Sequence, residues 1–157
     1  MTRIPALQSD LLDRSHLSIG TFDGVHRGHQ ALIRHLVDQA HAAGVPAVVI
    51  TFFPHPLEVI RGIKENNYLT HPQERAGLLA KLGVDRVITL DFTRELATLS
   101  AAEFIEELRT ALHFERLVIG NDFALGKGRQ GNLEWLRQDG EARGYQVDAL
   151  QVVSAEN

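Results

Sequence analysis

The fold is decided by residues 16–53, HLSIGTFDGVHRGHQALIRHLVDQAHAAGVPAVVITFF, in which two short apolar runs flank a longer amphipathic stretch. The outer runs carry the β-branched and aromatic side chains that are typical of strands. Between them, apolar side chains recur at spacings of three and four residues, which predicts a helix that ends at Gly44. These side chains are Leu32, Ile33, Leu36, Val37 and Ala40. The stretch therefore predicts a strand, a helix and a second strand.

The rest of the chain repeats this alternation. Further candidate strands are VDRVITLDF, RLVIG and YQVDALQVV, and candidate helices are PQERAGLLAKLG, SAAEFIEELRTAL and NLEWLRQDGEARG. Ser100 and Glu103 predict a capping box at the start of the second of these helices. Continuous apolar strands alternating with helices predict an α/β fold, a Rossmann-like doubly wound sheet of about five parallel strands with helices on both faces. Residues 1–157 are expected to form a single domain.

Composition excludes several function classes. Apolar residues make up 44% and charged residues 23%, with a net charge of −4, so neither disorder nor nucleic-acid binding is expected. The chain has no cysteine, which excludes disulfides and thiolate zinc sites and is typical of a cytoplasmic protein. The longest apolar run, VPAVVI at 45–50, is too short to span a membrane, so no membrane partner is expected.

The segment GTFDGVHRGH, residues 20–29, follows the first strand and enters the first helix, where this architecture binds phosphates. Gly20, Gly24 and Gly28 let the backbone approach a ligand closely. His26 and His29 are three residues apart on one helical face, where imidazoles could stabilise charge on a phosphoryl oxygen. An isolated histidine pair of this kind would more often be a solvent-facing part of a turn.

A metal site is the weaker interpretation of these histidines. Asp23 or His55 could supply a third ligand, but zinc-binding histidines on a helix more often stand four residues apart. No resident metal is predicted.

A second glycine motif, GKGRQG at 126–131, matches the dinucleotide pattern GxGxxG, with Asp148 about twenty residues onward. It lies several residues beyond a late candidate strand, whereas the fingerprint directly follows the first strand. The GKGRQG motif is explained equally well by a loop that brings Lys127 and Arg129 near phosphates as by the dinucleotide-binding site of a dehydrogenase.

The segment GTFDGVHRGH closely resembles the HxGH signature of the nucleotidyltransferase superfamily. Five later segments occur in the order and spacing of bacterial FAD synthetases: TFFPHP, LTHPQER, LLAKLGVD, DFTRELATLSAAEFIEEL and VIGNDFALGKGRQG. From residue 16 onward the chain resembles the FMN adenylyltransferase module of bifunctional riboflavin kinase/FAD synthetases. The resemblance implies transfer of AMP from ATP to FMN, giving FAD and pyrophosphate, with Mg²⁺ on the ATP phosphates.

The resemblance also implies roles for individual residues. His26 and His29 would be catalytic, acting on the α-phosphoryl transition state. The nucleotide would be held by Gly20, Thr21, Phe22, Gly24, Gly28, Asn121, Asp122 and Arg129. The flavin would be bordered by Phe52, Pro54, His55 and Pro56, with the aperiodic segment 58–72 as a candidate lid.

Two features of the family lie outside the resemblance. The family's ISSTxIR signature has no counterpart in this sequence, which ends at VVSAEN. The riboflavin kinase β-barrel that follows this module in the family is absent as well. We therefore expect this domain to be part of a longer protein with a riboflavin kinase partner domain. A cytidylyltransferase acting on a small phosphate ester and a non-catalytic flavin-binding module remain alternatives.

Overall fold

The computed structural model describes residue 4 and residues 6–22, 27–53 and 72–151, with backbone only for residues 27 and 28. The strands are β1 (Ser15–Ile19), β2 (Ala47–Phe53), β3 (Arg86–Asp91), β4 (Phe114–Gly120) and β5 (Gln146–Leu150). The helices are α1 (Arg27–Ala42), α2 (Pro72–Lys81), α3 (Arg94–Ala97), α4 (Ala101–Leu112) and α5 (Leu133–Arg143). A 3₁₀ turn spans Lys127–Arg129.

The five strands form one sheet in the order β3-β2-β1-β4-β5, and every neighbouring pair is parallel. The predicted α/β fold with its doubly wound parallel sheet is therefore confirmed. The chain starts in the middle of the sheet at β1, runs outward to β3, and then crosses back to β4. The strand order consequently reverses between β1 and β4, and ligands of such sheets bind beyond the carboxyl ends of the strands at this reversal.

Apolar side chains cover both faces of the sheet, as the continuous apolar strands predict. One core packs α4 and α5 against the sheet through Phe104, Leu108 and Leu136. The other core packs α1 and α2 against the opposite face through Ile33, Leu36 and Leu79. Because helices pack on both faces, the carboxyl ends of β1 and β4 are where a ligand is expected in such a sheet.

Local signals set the helix ends. Ser100 accepts a hydrogen bond from the backbone N–H of Glu103, and the Glu103 side chain accepts one from the backbone N–H of Ser100, so the predicted capping box is present. Gly44 has a φ of 73°, which suits the stop predicted after α1. The short helix α3, capped by Thr93, lies in a segment where the sequence predicts no helix of its own. Most of the aperiodic segment 58–72 lies outside the described residues.

Candidate active site

The carboxyl ends of β1 and β4 place two of the predicted nucleotide-binding segments at the strand-order reversal. Gly20, Thr21 and Phe22 follow β1 directly, and Asn121 and Asp122 follow β4. The β1 segment is anchored by a hydrogen bond of 3.0 Å from the Gly20 backbone N–H to the Ile50 carbonyl. Asn121 is anchored to the neighbouring edge strand by a bond of 2.9 Å from its N–H to the Leu150 carbonyl.

Phe22, three residues beyond the end of β1, has a backbone conformation that is unusual for its residue type. Its φ is 49°, in the left-handed region that costs a residue other than glycine roughly 1–3 kcal/mol. The ring is 3% exposed and folds back over Gly20, where an added Cβ would lie 3.0 Å from Phe22 Cε2. A side chain at position 20 would therefore crowd the Phe22 ring, which would have to shift by a few tenths of an ångström.

The buried Phe22 ring contacts His29. The two ring centroids are 5.2 Å apart and the planes meet at 79°, an edge-to-face arrangement. His29 lies in the first turn of α1, which has no acidic side chain in that turn. The partial positive charge of the helix N-terminus is thus available to an anion beside the imidazole. His26 and Gly24 lie outside the described residues, and Gly28 is described only as helical backbone.

A buried hydrogen-bond chain holds the same turn from the side of β2. The Thr51 hydroxyl donates to the Thr21 carbonyl at 2.8 Å, and Arg75 Nη1 donates to Thr51 Oγ1 at 2.9 Å. Arg75 Nη1 also donates to the Phe52 carbonyl at 3.1 Å. Thr51 is fully buried and Arg75 is 1% exposed, although Arg75 belongs to a helix of the surface layer.

Sequence reasoning assigned no role to Thr51 or Arg75, yet each carries a signal. Thr51 is the only polar residue in β2, Ala47–Phe53. Arg75 precedes Leu79 by four residues, so helical periodicity places it on the core-facing side of α2. A polar residue in a position that the pattern reserves for an apolar one indicates a buried hydrogen bond.

At the end of β4, Asn121, Asp122 and Arg129 are exposed, and two of them are linked. Arg129 Nη2 donates to the Asp122 carbonyl at 2.9 Å, which holds the guanidinium beside the strand end. Asn121 borders an open cavity of about 510 Å³. The rest of its lining comes from the start of α5: Asn132, Leu133, Glu134, Arg137 and Gln138.

Of the predicted flavin-bordering residues, only Phe52 lies among the described residues. Its ring is 8% exposed and meets Phe92 and Phe104 edge-on, at centroid distances of 5.6 and 6.3 Å. It belongs to the core between the sheet and α4, whereas Phe22 belongs to the core on the α1 face. Phe52 and Phe22 thus end on opposite faces of the sheet. Pro54, His55 and Pro56 lie outside the described residues.

The glycines of GKGRQG have a structural role that is independent of any dinucleotide. A Cβ on Gly126 would lie 2.6 Å from the backbone nitrogen of Ala101, at the start of α4. Lys127 N–H donates to the Leu99 carbonyl at 2.9 Å, and the Gln130 side chain accepts from Ala101 N–H at 3.2 Å. The loop therefore packs against the N-terminus of α4 and closes it.

The acid that would complete a dinucleotide fingerprint, Asp148, is engaged on β5. Its carboxylate accepts hydrogen bonds from Arg116 at 2.7 Å and from His35 at 2.8 Å. Burial alone would raise the pKa of Asp148, but the bonds from His35 and Arg116 outweigh it and hold the pKa below its ordinary value. This carboxylate serves an ion-pair cluster between α1 and the sheet.

No three histidine, aspartate or glutamate side chains meet as a metal-binding group among the residues that the structure describes.

Comparison with known proteins places this chain in a family. A family model described as FAD synthetase matches residues 9–157. The chain belongs to the FAD synthetase family. The FAD synthetase resemblance of the sequence motifs is thereby confirmed, and the turn after β1 and the loop after β4 lie within the matched region.

Several relatives of this FAD synthetase chain are named bifunctional riboflavin kinase/FMN adenylyltransferase. The protein from Escherichia coli K12 is 38% identical over 136 residues, which cover 86% of this chain and 44% of that protein. The protein from Pseudomonas fluorescens is 39% identical over 137 residues, covering 87% and 44%. The protein from Listeria monocytogenes is 38% identical over 128 residues, covering 81% and 41%. The chain thus spans less than half the length of these relatives.

Solved structures agree with the α/β fold. A crystal structure described as a macrolide-efflux protein from Streptococcus pneumoniae is 28% identical, with a TM-score of 0.78, over 91% of this chain and 48% of that one. A universal stress protein from Archaeoglobus fulgidus, 14% identical with a TM-score of 0.52, shares the fold alone over 89% of this chain and 100% of its own. None of the helices in the described ranges has the length and apolar character needed to cross a membrane.

Proposed function

We propose that this domain transfers AMP from ATP to FMN, giving FAD and pyrophosphate. The observation that carries the proposal is the FAD synthetase match over residues 9–157. The position of the Gly20–Phe22 turn and of His29 at the strand-order reversal supports it, because nucleotides bind at this point of such sheets.

In the proposed reaction, an oxygen of the FMN phosphate attacks the α-phosphorus of ATP in line with the bond to the β-phosphate. The new phosphorus–oxygen bond forms as the bond to the pyrophosphate oxygen breaks. Mg²⁺ brought in with the ATP substrate would neutralise charge on the leaving pyrophosphate. No covalent enzyme intermediate is needed, since alignment and charge stabilisation provide the catalysis.

The chain's own groups would divide this work between the two strand ends. His29, with His26, would donate hydrogen bonds to the α-phosphoryl oxygens, where negative charge builds in the transition state. The backbone of Gly20, Thr21, Phe22, Gly24 and Gly28 would line the phosphates. Asn121, Asp122 and Arg129 would bind the nucleotide from the end of β4, supported by the bond that ties Arg129 to Asp122.

The flavin would lie toward β2, bordered by Phe52, Pro54, His55 and Pro56. The buried position of Phe52 favours a role for its backbone and the following residues over a direct contact from its ring. Because the chain spans less than half of its curated relatives, we propose that the full-length protein also contains a riboflavin kinase domain that produces FMN.

The decisive experiment supplies the full-length protein with FMN and either MgATP or MgCTP and measures both pyrophosphate release and FAD formation. We expect stoichiometric FAD and pyrophosphate with ATP and no flavin product with CTP. CTP turnover with a small phosphate ester would instead identify a cytidylyltransferase. Quenching of flavin fluorescence without pyrophosphate release would identify a flavin-binding module.

A further inference from the structure

We propose that Arg75 and Thr51 are positioning residues for adenylyl transfer, which fix the turn after β1 and through it the orientation of His29. The inference rests on the function proposed above, because that function makes His29 a phosphate-binding group. Neither side chain is placed in contact with a substrate.

In the hydrogen-bond chain from Arg75 through Thr51 to Thr21, the donor and acceptor at each step are fixed by chemistry. An arginine guanidinium can only donate, and the Thr21 carbonyl can only accept. The single hydroxyl proton of Thr51 must therefore point to Thr21 while its oxygen lone pair faces Arg75. A side chain in this place must both accept and donate, which threonine and serine can do and valine cannot.

The Thr21 carbonyl is the group through which this chain acts on the turn. It belongs to the peptide unit between Thr21 and Phe22, and the rotation of that unit about the N–Cα bond of Phe22 is the φ of Phe22. This φ is 49°, a left-handed value that surrounding contacts must maintain in a residue other than glycine. The hydrogen bond from Thr51 holds the peptide plane from one side, and burial of the Phe22 ring holds it from the other.

The conformation of Phe22 is transmitted directly to the candidate catalytic imidazole. The Phe22 ring meets His29 at 5.2 Å, so a rotation of the turn moves the surface against which His29 rests. Small displacements matter here, because misplacing a reacting group by about 1 Å can cost on the order of 100-fold in rate.

Arg75 is the fixed first donor of this hydrogen-bond chain. Its guanidinium is 1% exposed and donates to both the Thr51 hydroxyl and the Phe52 carbonyl, so it ties α2 to the carboxyl end of β2. A planar guanidinium holds two such acceptors in a fixed relation, which a lysine ammonium does not. The position of α2 is therefore coupled to the turn on the neighbouring strand.

The test compares Thr51→Val, which has nearly the same shape but no hydroxyl, with Thr51→Ser, which keeps it. In the full-length protein we expect Thr51→Val to lower kcat for FAD formation by about tenfold or more, with KM for FMN changed by less than about twofold. Thr51→Ser should restore kcat to within about threefold of the unmodified protein.

Ser15→Ala is the matched control. Ser15 is a buried hydroxyl that also donates to a carbonyl, that of Leu112 at 2.8 Å, but it lies at the amino end of β1. This variant should lower the melting temperature as Thr51→Val does and leave kcat unchanged. If both variants lower kcat equally, the hydroxyl of Thr51 contributes to stability alone and the proposal is wrong.

Arg75→Lys tests the hydrogen-bond chain at its first donor and does not depend on how well Thr51→Val folds. If Arg75 and Thr51 act through one hydrogen-bond chain, the variant that carries both Arg75→Lys and Thr51→Val should have the kcat of the slower single variant. Its loss of kcat should not be the product of the two single losses. If the two losses of kcat multiply in the double variant, Arg75 and Thr51 act independently and their proposed coupling is wrong.

A substrate-free measurement separates this proposal from the proposed function. The imidazole NMR signals of His29, assigned with His29→Gln, sense the ring of Phe22 and should shift in Thr51→Val but not in Ser15→Ala. If the unmodified protein forms no FAD, the proposed function fails, and this shift alone still decides whether Thr51 positions His29. An unshifted signal would contradict the positioning role.

Discussion

The rings of Phe22, which follows β1, and His29, in the first turn of α1, meet edge to face with centroids 5.2 Å apart. The contact explains why a buried aromatic residue occupies a left-handed position that glycine would adopt more easily. The ring packs into the core on the α1 face and at the same time contacts the His29 imidazole. Packing and the candidate chemistry therefore share one side chain.

Phe22→Leu tests this shared role. A leucine keeps most of the apolar volume, so we expect a loss of about 1 kcal/mol in the free energy of unfolding, measured with urea. The edge contact to His29 is lost, and kcat for FAD formation should fall severalfold. Phe114→Leu is the control, since Phe114 is also buried and meets Tyr145 edge-on at 4.8 Å, but at the amino end of β4. Equal losses of kcat in both variants would show that the Phe22 contact has no special effect.

His29→Ala tests the catalytic role itself. Removing one donor to a transition-state oxyanion costs on the order of 10²–10³ in kcat, so we expect a loss of at least about tenfold. His35→Ala is the matched control on the same helix, because His35 bonds Asp148 rather than the turn. That variant should lower stability and leave kcat within about twofold of the unmodified protein. Pyrophosphate release measures both, and an active His29→Ala variant would remove His29 from the mechanism.

The helices and strands follow from local pattern to a large extent. The spacing of Leu32, Leu36 and Ala40 and the Ser100 capping box depend on neighbours within four residues, and both are present as predicted. The left-handed turn at Phe22 is different, because no local preference favours that conformation for phenylalanine. It is set by core packing and by a hydrogen bond from Thr51, thirty positions along the chain. Such tertiary contacts leave only an indirect sequence signal, a polar residue among apolar ones.

In the candidate site too, some features follow from local sequence pattern and others depend on tertiary contacts. The position of residues 20–22 directly after β1 follows from the predicted alternation of strands and helices, and the parallel sheet shows them at the carboxyl end of that strand. The pairing of Arg129 with the Asp122 carbonyl depends on how the loop after β4 folds back, which periodicity does not report. The individual roles predicted for the site residues stay predictions until variants are assayed.

Gly126→Ala and Gly128→Ala test whether the GKGRQG loop is a structural brace. Both glycines have positive φ, 81° and 65°, so alanine is strained at either position. Gly128 faces open space, and its replacement should cost about 1 kcal/mol in the free energy of unfolding. Gly126 lies against the backbone of Ala101, and its replacement should cost about 3 kcal/mol or more. Urea denaturation measures both losses, and equal values would contradict the brace.

The buried imidazole of His16 is expected to make the stability of the domain depend on pH. The side chain is 4% exposed on β1, and its Nδ1 has no hydrogen-bond partner among the described residues. Burial, together with the charge of Arg116, lowers the pKa of His16 below 6.5, against the opposing effect of Glu115 and Asp148. The folded protein thus favours the neutral ring, whereas the unfolded chain binds a proton below that pH.

The sign of the pH effect follows from this difference. Stability from the neutral ring is fully present above pH 6.5 and is lost as the pH falls toward the lower pKa of the folded state. The slope from one such group is at most about 1.4 kcal/mol per pH unit. Urea denaturation between pH 7 and pH 5 should therefore show a shallower decline for His16→Gln than for the unmodified protein. If the two slopes coincide, the His16 ring titrates alike in the folded and unfolded chain, and its burial does not contribute to the acid sensitivity of the domain.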